Sequence, residues 1–276
     1  MKSFLVFIIV IILNSSCSKK PIEVATITIK GSDSMLQLTE NLAEEYMKLN
    51  PGISIYVYGG GTSEGVKALI RNEIDICNAS RNLKPEEAKA LADYYGTVGL
   101  FYLVAKDALC IYINPYNPVK NLTIEQLKNI FECKITNWKE LGGKNQKIIS
   151  VIRNINSGTY FYFKEHVLEG DDYCDEAVIE ATTPEIMEYI EQNENAIGYG
   201  SMGYKGQIAY AKIDGIEPSE KNAQNDSYPL TRYLHFFTTQ LPKGVVKNFV
   251  DWVLSPEGQR VIKQSGFIPL WEVPSQ

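Results

Sequence analysis

Only two histidines, His166 and His235, occur in the 276 residues, and the five cysteines form no C-x-x-C pair. A zinc centre needs several such ligands at short fixed spacing, so a metal site is not expected. The net charge of −6 provides no basic field of the kind that nucleic-acid binders carry. No Gly-x-x-x-x-Gly-Lys-Ser/Thr run is present, which removes the phosphate loop of nucleotide hydrolases. Neither Ser157 nor Thr62 is the serine of a Gly-x-Ser-x-Gly elbow, and nothing in the sequence brings a histidine to either as a base. The apolar run at the N-terminus, Phe4 to Leu13, is about ten residues, well short of the roughly 20 that cross a bilayer.

That run follows Met1-Lys2 and precedes Asn14-Ser15-Ser16-Cys17. A basic start, a short apolar segment and small residues before a cut make a secretory signal. A cysteine at that place resembles a bacterial lipoprotein signal, although Asn14 stands where Leu is usual. Residues 1–16 are therefore read as signal peptide, Cys17 as the lipidated first residue, and 17–24 as a tether. An ordinary secretory signal cut nearby is the alternative. Cys77, Cys110, Cys133 and Cys174 remain in the exported chain and allow three pairings, among which sequence does not choose. Cys77 and Cys110 lie in strand-like apolar runs, where a free buried thiol is equally reasonable.

What the chain does have is 45% apolar residues, enough for a sizeable core, and three loops built from Gly, Ser and Thr. They are Gly31-Ser32-Asp33-Ser34, Gly59-Gly60-Gly61-Thr62-Ser63-Glu64-Gly65, and Ser157-Gly158-Thr159 just after Arg153. Each lies between a strand-like run and a helix-like run. A helix start leaves N–H groups unpaired and carries partial positive charge, so it favours an anion.

The periodicity around these loops reads strand, loop, helix, repeated. Thr26–Ile29 alternates as a strand, Met35 to Leu49 recurs at helical spacing, and Asn50-Pro51-Gly52 ends that helix. Strands at 53–57 and 74–77 and a helix opening at Pro85 complete a βαβαβ start. This predicts a mostly parallel sheet with ligand loops at the strand C-termini. Two apolar runs, Val98–Ala105 and Ala108–Ile113, are separated by Lys106-Asp107 and suit a crossing between lobes. Thr123-Ile124-Glu125-Gln126 is a capping box opening a helix to Phe131. A strand at 148–152 ends in Arg153, and the helix after the third loop is expected to have an aromatic face of Tyr160, Phe161 and Phe163. Asp214–Asp226 reads as an exposed loop, 231–237 as a return crossing, and 242–254 and 255–265 as closing helices.

Arg153 offers a fixed fork of donors to an oxyanion, Ser157 and Thr159 add hydroxyls, and Gly158 permits close approach. A capped helix beside a surface ion pair is the bland alternative. Three consecutive glycines before Thr62 and Ser63 imply that something needs the backbone near, rather than a merely flexible turn. Ser32 or Asp33 could simply cap the following helix. Arg81 could contact the anion, neutralise Asp33, or lie at the surface. A carboxylate such as Asp33 suits an anion only if it accepts a proton from it. Phosphate carries one at neutral pH whereas sulfate and molybdate do not, so Asp33 would favour phosphate.

With these loops, Asp75-Ile76-Cys77-Asn78-Ala79-Ser80-Arg81, Lys134-Ile135-Thr136-Asn137-Trp138, Ala196-Ile197-Gly198-Tyr199, Tyr228-Pro229-Leu230 and Leu254-Ser255-Pro256-Glu257-Gly258-Gln259, the chain resembles the phosphate-binding lipoproteins of bacterial phosphate ABC importers. The resemblance implies a two-lobed α/β fold of the type II periplasmic-binding-protein class. Lobe 1 is expected at residues 25–106 and 231–276, lobe 2 at 107–230. By position it implies ligand contacts at Asp33, Ser34, Thr62, Arg153, Ser157, Gly158 and Thr159. Ser32, Ser63 and Arg81 join them as candidates from the loops themselves. It further implies a monomer, anchored outside the cell membrane by lipid alone, that binds inorganic phosphate without a cofactor and serves a membrane permease. Two departures stand out. Family members place an Asp where this chain has Arg81, and support the site Arg with an Asp where it has Ile155. The proton-accepting role is accordingly assigned to Asp33. Other readings are the same fold for sulfate, molybdate or tungstate, a phosphate-sensing surface protein, and a hydrolase using Ser157 or Thr62.

Overall fold

The computed structural model describes residues 24–272; the signal peptide expected at 1–16, Cys17 and the expected tether up to residue 23 lie outside the described residues. The chain opens with β1 (Ala25–Gly31), α1 (Leu36–Leu49), β2 (Ile53–Tyr58), α2 (Thr62–Ile70), β3 (Ile76–Ala79) and α3 (Pro85–Tyr95). It continues with β4 (Leu100–Ile113), β5 (Asn121–Leu122), α4 (Ile124–Phe131), β6 (Ile149–Arg153), α5 (Gly158–His166), β7 (Val178–Glu180), α6 (Thr183–Gln192), β8 (Ala196–Ser201) and β9 (Ala209–Ile213). It ends with α7 (Glu220–Gln224), β10 (Thr231–Thr238), α8 (Gly244–Val253) and α9 (Pro256–Gln264).

Local chemistry accounts for the boundaries. α1 buries Leu38, Leu42 and Tyr46, spaced four apart on one face, and stops before Pro51. The Thr123 hydroxyl accepts from the Gln126 N–H while the Gln126 side chain returns to the Thr123 N–H, so α4 begins where its capping box predicts. Pro256 at the first turn of α9 follows Ser255, which caps the Gly258 N–H.

β1 lies between β2 and β3 with all three parallel, so their C-terminal ends share one edge. β6 is likewise parallel to β7 and β8. Between these sets run β4 and β10, antiparallel to each other and to their neighbours β3 and β8. The buried side chains form separate cores. Ile27, Ile29, Leu38, Phe236 and Phe249 build one, and Phe131, Val151, Phe163, Tyr199 and Ile213 belong to another. β4 supplies Val104 and Ala105 to the first and Ala108 through Ile113 to the second, so a single strand threads both.

Three local expectations are corrected. Lys106-Asp107 does not interrupt the apolar runs: β4 is one continuous strand, and Asp107 is fully buried within it. Its charge is matched by Arg232, its register partner on β10, while Lys106 pairs with Asp226. The stretch from Asp214 to Asp226 contains the short helix α7, capped by Ser219 and anchored by buried Ala223. On α5 the buried aromatics are Tyr162 and Phe163, with Tyr160 half-buried against the same core, where the expected aromatic face is Tyr160, Phe161 and Phe163. Phe163 stacks on Tyr199 at 4.2 Å, whereas Phe161 stays at the side of the helix beneath the Lys84 ammonium, 3.2 Å from its ring centre.

Cys133 and Cys174 form a disulfide, joining the turn after α4 to the segment before β7. Cys77 and Cys110 are free and buried. Burial pushes both thiols up, which keeps them protonated and unreactive. No helix among the described residues is long and apolar enough to cross a membrane.

Candidate functional site

The three loops meet. The first two follow the parallel ends of β1 and β2, the segment Ser80-Arg81 follows β3, and the third follows β6 from the opposite core. The junction is closed by backbone contact: Asn156 C=O accepts from the Ser63 N–H at 3.2 Å. A Cβ on Gly61 would stand 2.4 Å from that same carbonyl oxygen, and its φ of +93° is one that L side chains rarely adopt. Gly158 is equally constrained, since a Cβ there would lie 2.4 Å from Thr62 Oγ1 and 2.6 Å from Ser80 Oγ. Glycine at these positions lets the N-termini of α2 and α5 abut.

Around that junction lies a cluster of hydroxyls. Ser32 Oγ donates to Ser80 Oγ at 2.9 Å and is 2.9 Å from Ser34 Oγ. Thr159 Oγ1 donates to Ser34 Oγ at 3.4 Å, and Thr62 Oγ1 accepts from the Ser80 N–H at 3.3 Å. Ser32, Ser34, Thr62, Ser80 and Thr159 are at most 2% exposed, so the cluster is shielded from bulk solvent. Ser157 caps α5 by accepting from the Thr159 and Tyr160 N–H groups, which leaves its own proton free to donate. Ser32 makes no side-chain cap at the first loop, because its hydroxyl is turned to Ser34 and Ser80.

Asp33 is the organiser of this region. Its Oδ1 accepts from the Gly60 N–H at 2.7 Å, and its Oδ2 accepts from Arg153 Nη2 at 3.0 Å. The Arg153 guanidinium also donates to the Ala181 carbonyl through Nε and Nη2 and to Thr183 Oγ1 through Nη1. Four of its five N–H groups are thereby placed, leaving one on Nη1. Burial pushes the Arg153 pKa down and the Asp33 charge partly restores it, while guanidinium basicity keeps it cationic. The phenol of Tyr204, pushed up to about 12 by burial, donates to the Asp33 carbonyl at 2.8 Å.

Arg81 is held elsewhere. Both its terminal nitrogens donate to the Glu87 carboxylate at 2.7 Å, and Nη2 also donates to Ser63 Oγ at 3.1 Å. Asp33 is therefore neutralised by Arg153 and not by Arg81. Ser63 stands at the serine position of Gly61-Thr62-Ser63-Glu64-Gly65, a Gly-x-Ser-x-Gly run. Its hydroxyl faces a guanidinium, which donates and cannot take a proton, so the run lacks the base of a nucleophile elbow there.

A profile of the PBP superfamily domain matches residues 19–257. The chain is 33% identical to the phosphate-binding protein PstS of Bacillus subtilis (strain 168), covering 90% of this chain and 82% of that one. The chain belongs to the PBP superfamily, in the PstS family. PstS of Pseudomonas aeruginosa is also 33% identical, over 87% of this chain and 81% of its own. Among solved folds, a protein of Clostridium perfringens described as a phosphate ABC transporter substrate-binding protein, with phosphate bound, superposes with a TM-score of 0.82 at 33% identity. That match covers 89% of this chain and all of the other. A phosphate transport receptor from Vibrio cholerae gives 0.73 at 29% identity, over 88% and 99%.

For this PstS-family chain, sequence reasoning missed Ser80, Tyr204 and, most of all, Arg232. Arg232 Nε and Nη2 donate to Asp107 Oδ2, while Nη1 donates to Thr159 Oγ1 at 3.0 Å and Nη2 to Ser34 Oγ at 3.4 Å. The available signal was an Asp and an Arg each set inside a strongly apolar strand, since charges in such places require each other. A cavity of about 650 Å³ lies beside the hydroxyl cluster and shares Ser80 and Arg232 with it. We take the cluster, not that cleft, as the candidate site, because the N-termini of α2 and α5 and the hydroxyls of all three loops meet there.

Proposed function

We propose that this protein captures inorganic phosphate outside the cell and delivers it to an ABC importer. The observation that carries the reading is the meeting of the α2 and α5 N-termini at Thr62 and Gly158. Two positive helix ends brought together repel each other, and an anion between them removes that cost. The relatives named for phosphate binding, and the Clostridium perfringens fold with phosphate bound, support the choice of anion.

In this reading residues 25–106 with 231–276 form lobe 1 and residues 107–230 form lobe 2, with β4 and β10 as the crossing strands. Ser32, Ser34, Thr62, Ser157 and Thr159 supply hydroxyl donors, Gly158 supplies close backbone approach, and Arg153 its remaining N–H. Ser63 and Arg81 brace the second loop. Asp33 takes the proton of phosphate on an oxygen lone pair not used by Gly60 or Arg153. Binding across both lobes couples capture to closure, and the closed form is what a permease would recognise. The chain acts as a monomer without a cofactor and is tethered by lipid on Cys17.

Calorimetric titration of the exported chain with phosphate, sulfate and molybdate tests the reading. Micromolar or tighter binding of phosphate, with sulfate and molybdate far weaker, is expected. Preference for either of the other two would reassign the ligand, and no binding of any would remove the transport reading.

A further inference from the structure

The buried pair Asp107–Arg232 is not explained by the three loops, yet it reaches their centre. Asp107 is fully buried on β4, where its Oδ1 accepts from Ser201 Oγ at 2.7 Å and its Oδ2 takes both Arg232 donors at 3.0 and 2.8 Å. The remaining Arg232 donors go to the Ser80 carbonyl, Thr159 Oγ1 and Ser34 Oγ. All five N–H groups are thus engaged, so Arg232 has none left for a ligand. Its influence must pass through the hydroxyls it touches.

A guanidinium only donates, so Thr159 Oγ1 and Ser34 Oγ each accept from it. Thr159 Oγ1 accepts from Arg232 and donates to Ser34 Oγ. Ser32 donates its single proton to Ser80, so the Ser32–Ser34 bond is donated by Ser34. The chain therefore runs from Arg232 through Thr159, Ser34 and Ser32 to Ser80, whose hydroxyl lies at the Thr62–Gly158 junction. A lone pair occupied by a cation leaves a hydroxyl as a donor and makes it a poor acceptor.

We propose that Arg232, clamped by Asp107, is a positioning residue: it occupies a lone pair on Thr159 and on Ser34, so that their protons turn from Ser34 and Ser32 to the oxyanion when it enters. It thereby restricts those two subsites to oxygens that carry no proton and leaves the proton of phosphate to Asp33. This rests on the phosphate reading above. The hinge strand that joins the two cores is, on this account, also what polarises the site.

The test is a thermodynamic cycle on phosphate affinity, using the exported chain and isothermal calorimetry. Asp107→Asn/Arg232→Gln removes both charges together, so no buried charge is left unpaired. In the parent background it should weaken phosphate binding about tenfold or more. In a Thr159→Val/Ser34→Ala background, where both hydroxyls that Arg232 touches are gone, the same change should cost less than about threefold. Equal losses in both backgrounds would show a purely structural role and overturn the proposal. Should the double substitution prevent folding, Arg232→Lys keeps a charge beside Asp107 but cannot span it and Thr159 together, and the same coupling is expected of it. A parent that binds no phosphate overturns the phosphate reading itself, an outcome distinct from equal losses.

Discussion

Asp33 Oδ2 lies 3.0 Å from Arg153 Nη2, joining the first loop to the third from opposite cores of the molecule. Relatives are expected to support this Arg with a carboxylate two residues later; here Ile155 occupies that position and is 66% exposed. In this chain the supporting charge lies across the junction, on the first loop. Its physical consequence is that the same carboxylate that orients Arg153 also holds the two halves together.

Replacing Asp33 with Asn keeps the shape and removes the charge. Phosphate affinity should fall about 10- to 100-fold, the range for a buried charge-assisted hydrogen bond. Discrimination against sulfate should shrink with it, because the proton acceptor is lost. Calorimetry with both anions checks this, and an Asp33→Asn protein that binds phosphate as tightly as the parent would refute the role given to Asp33.

Gly158→Ala places a methyl group where Thr62 Oγ1 is only 2.4 Å away. Separation of the two halves relieves that clash, and alanine suits a helix start, so unfolding without ligand should stay near the parent's. Phosphate affinity should drop by at least about tenfold, since closure is what the methyl group obstructs. Parallel melting curves and titrations separate the two effects.

His235 lies on β10 in a buried site, which pushes its pKa from 6.5 down to about 4. The unfolded chain binds a proton at this residue below pH 6.5, while the folded protein takes it up only near 4. Its contribution to stability is therefore complete above 6.5 and is lost as pH falls through the interval to about 4, by up to about 3 kcal/mol. Denaturant midpoints measured across that interval should fall less steeply for His235→Gln than for the parent.

The disulfide closes a long loop, Cys133 and Cys174 being 41 positions apart. Chain-entropy arguments give about 4 kcal/mol for a loop of that size. Cys133→Ser/Cys174→Ser should lower the unfolding midpoint accordingly. Phosphate affinity should change little, because neither cysteine contacts the hydroxyl cluster.

Cys17→Ser removes the only thiol available to a lipid at the predicted cut. The protein should then move from the membrane fraction to the soluble one on cell fractionation. Retention at the membrane would argue for an ordinary secretory signal with another means of attachment.

The opening βαβαβ segment was legible because its signals are local: β-branched alternation in β1, four-residue spacing in α1, a proline at the start of α3. The same holds for the three loops, whose Gly, Ser and Thr residues stand at strand-to-helix turns. Lys106-Asp107 misled because polarity along the chain predicts exposure only when no partner is present. The partner, Arg232, is 125 positions away.

By itself, the sequence determined the alternation of strands and helices, the glycine-rich turns between them and the supply of hydroxyl and guanidinium donors. These follow from backbone sterics and side-chain chemistry acting over a few residues. Which carboxylate meets which guanidinium was decided only by the tertiary structure. Asp33 found Arg153, Asp107 found Arg232 and Glu87 found Arg81, each pair set by the packing of separate elements. The reason is that a buried charge is stabilised by its neighbours in space, and sequence order fixes those neighbours only after the whole chain has folded.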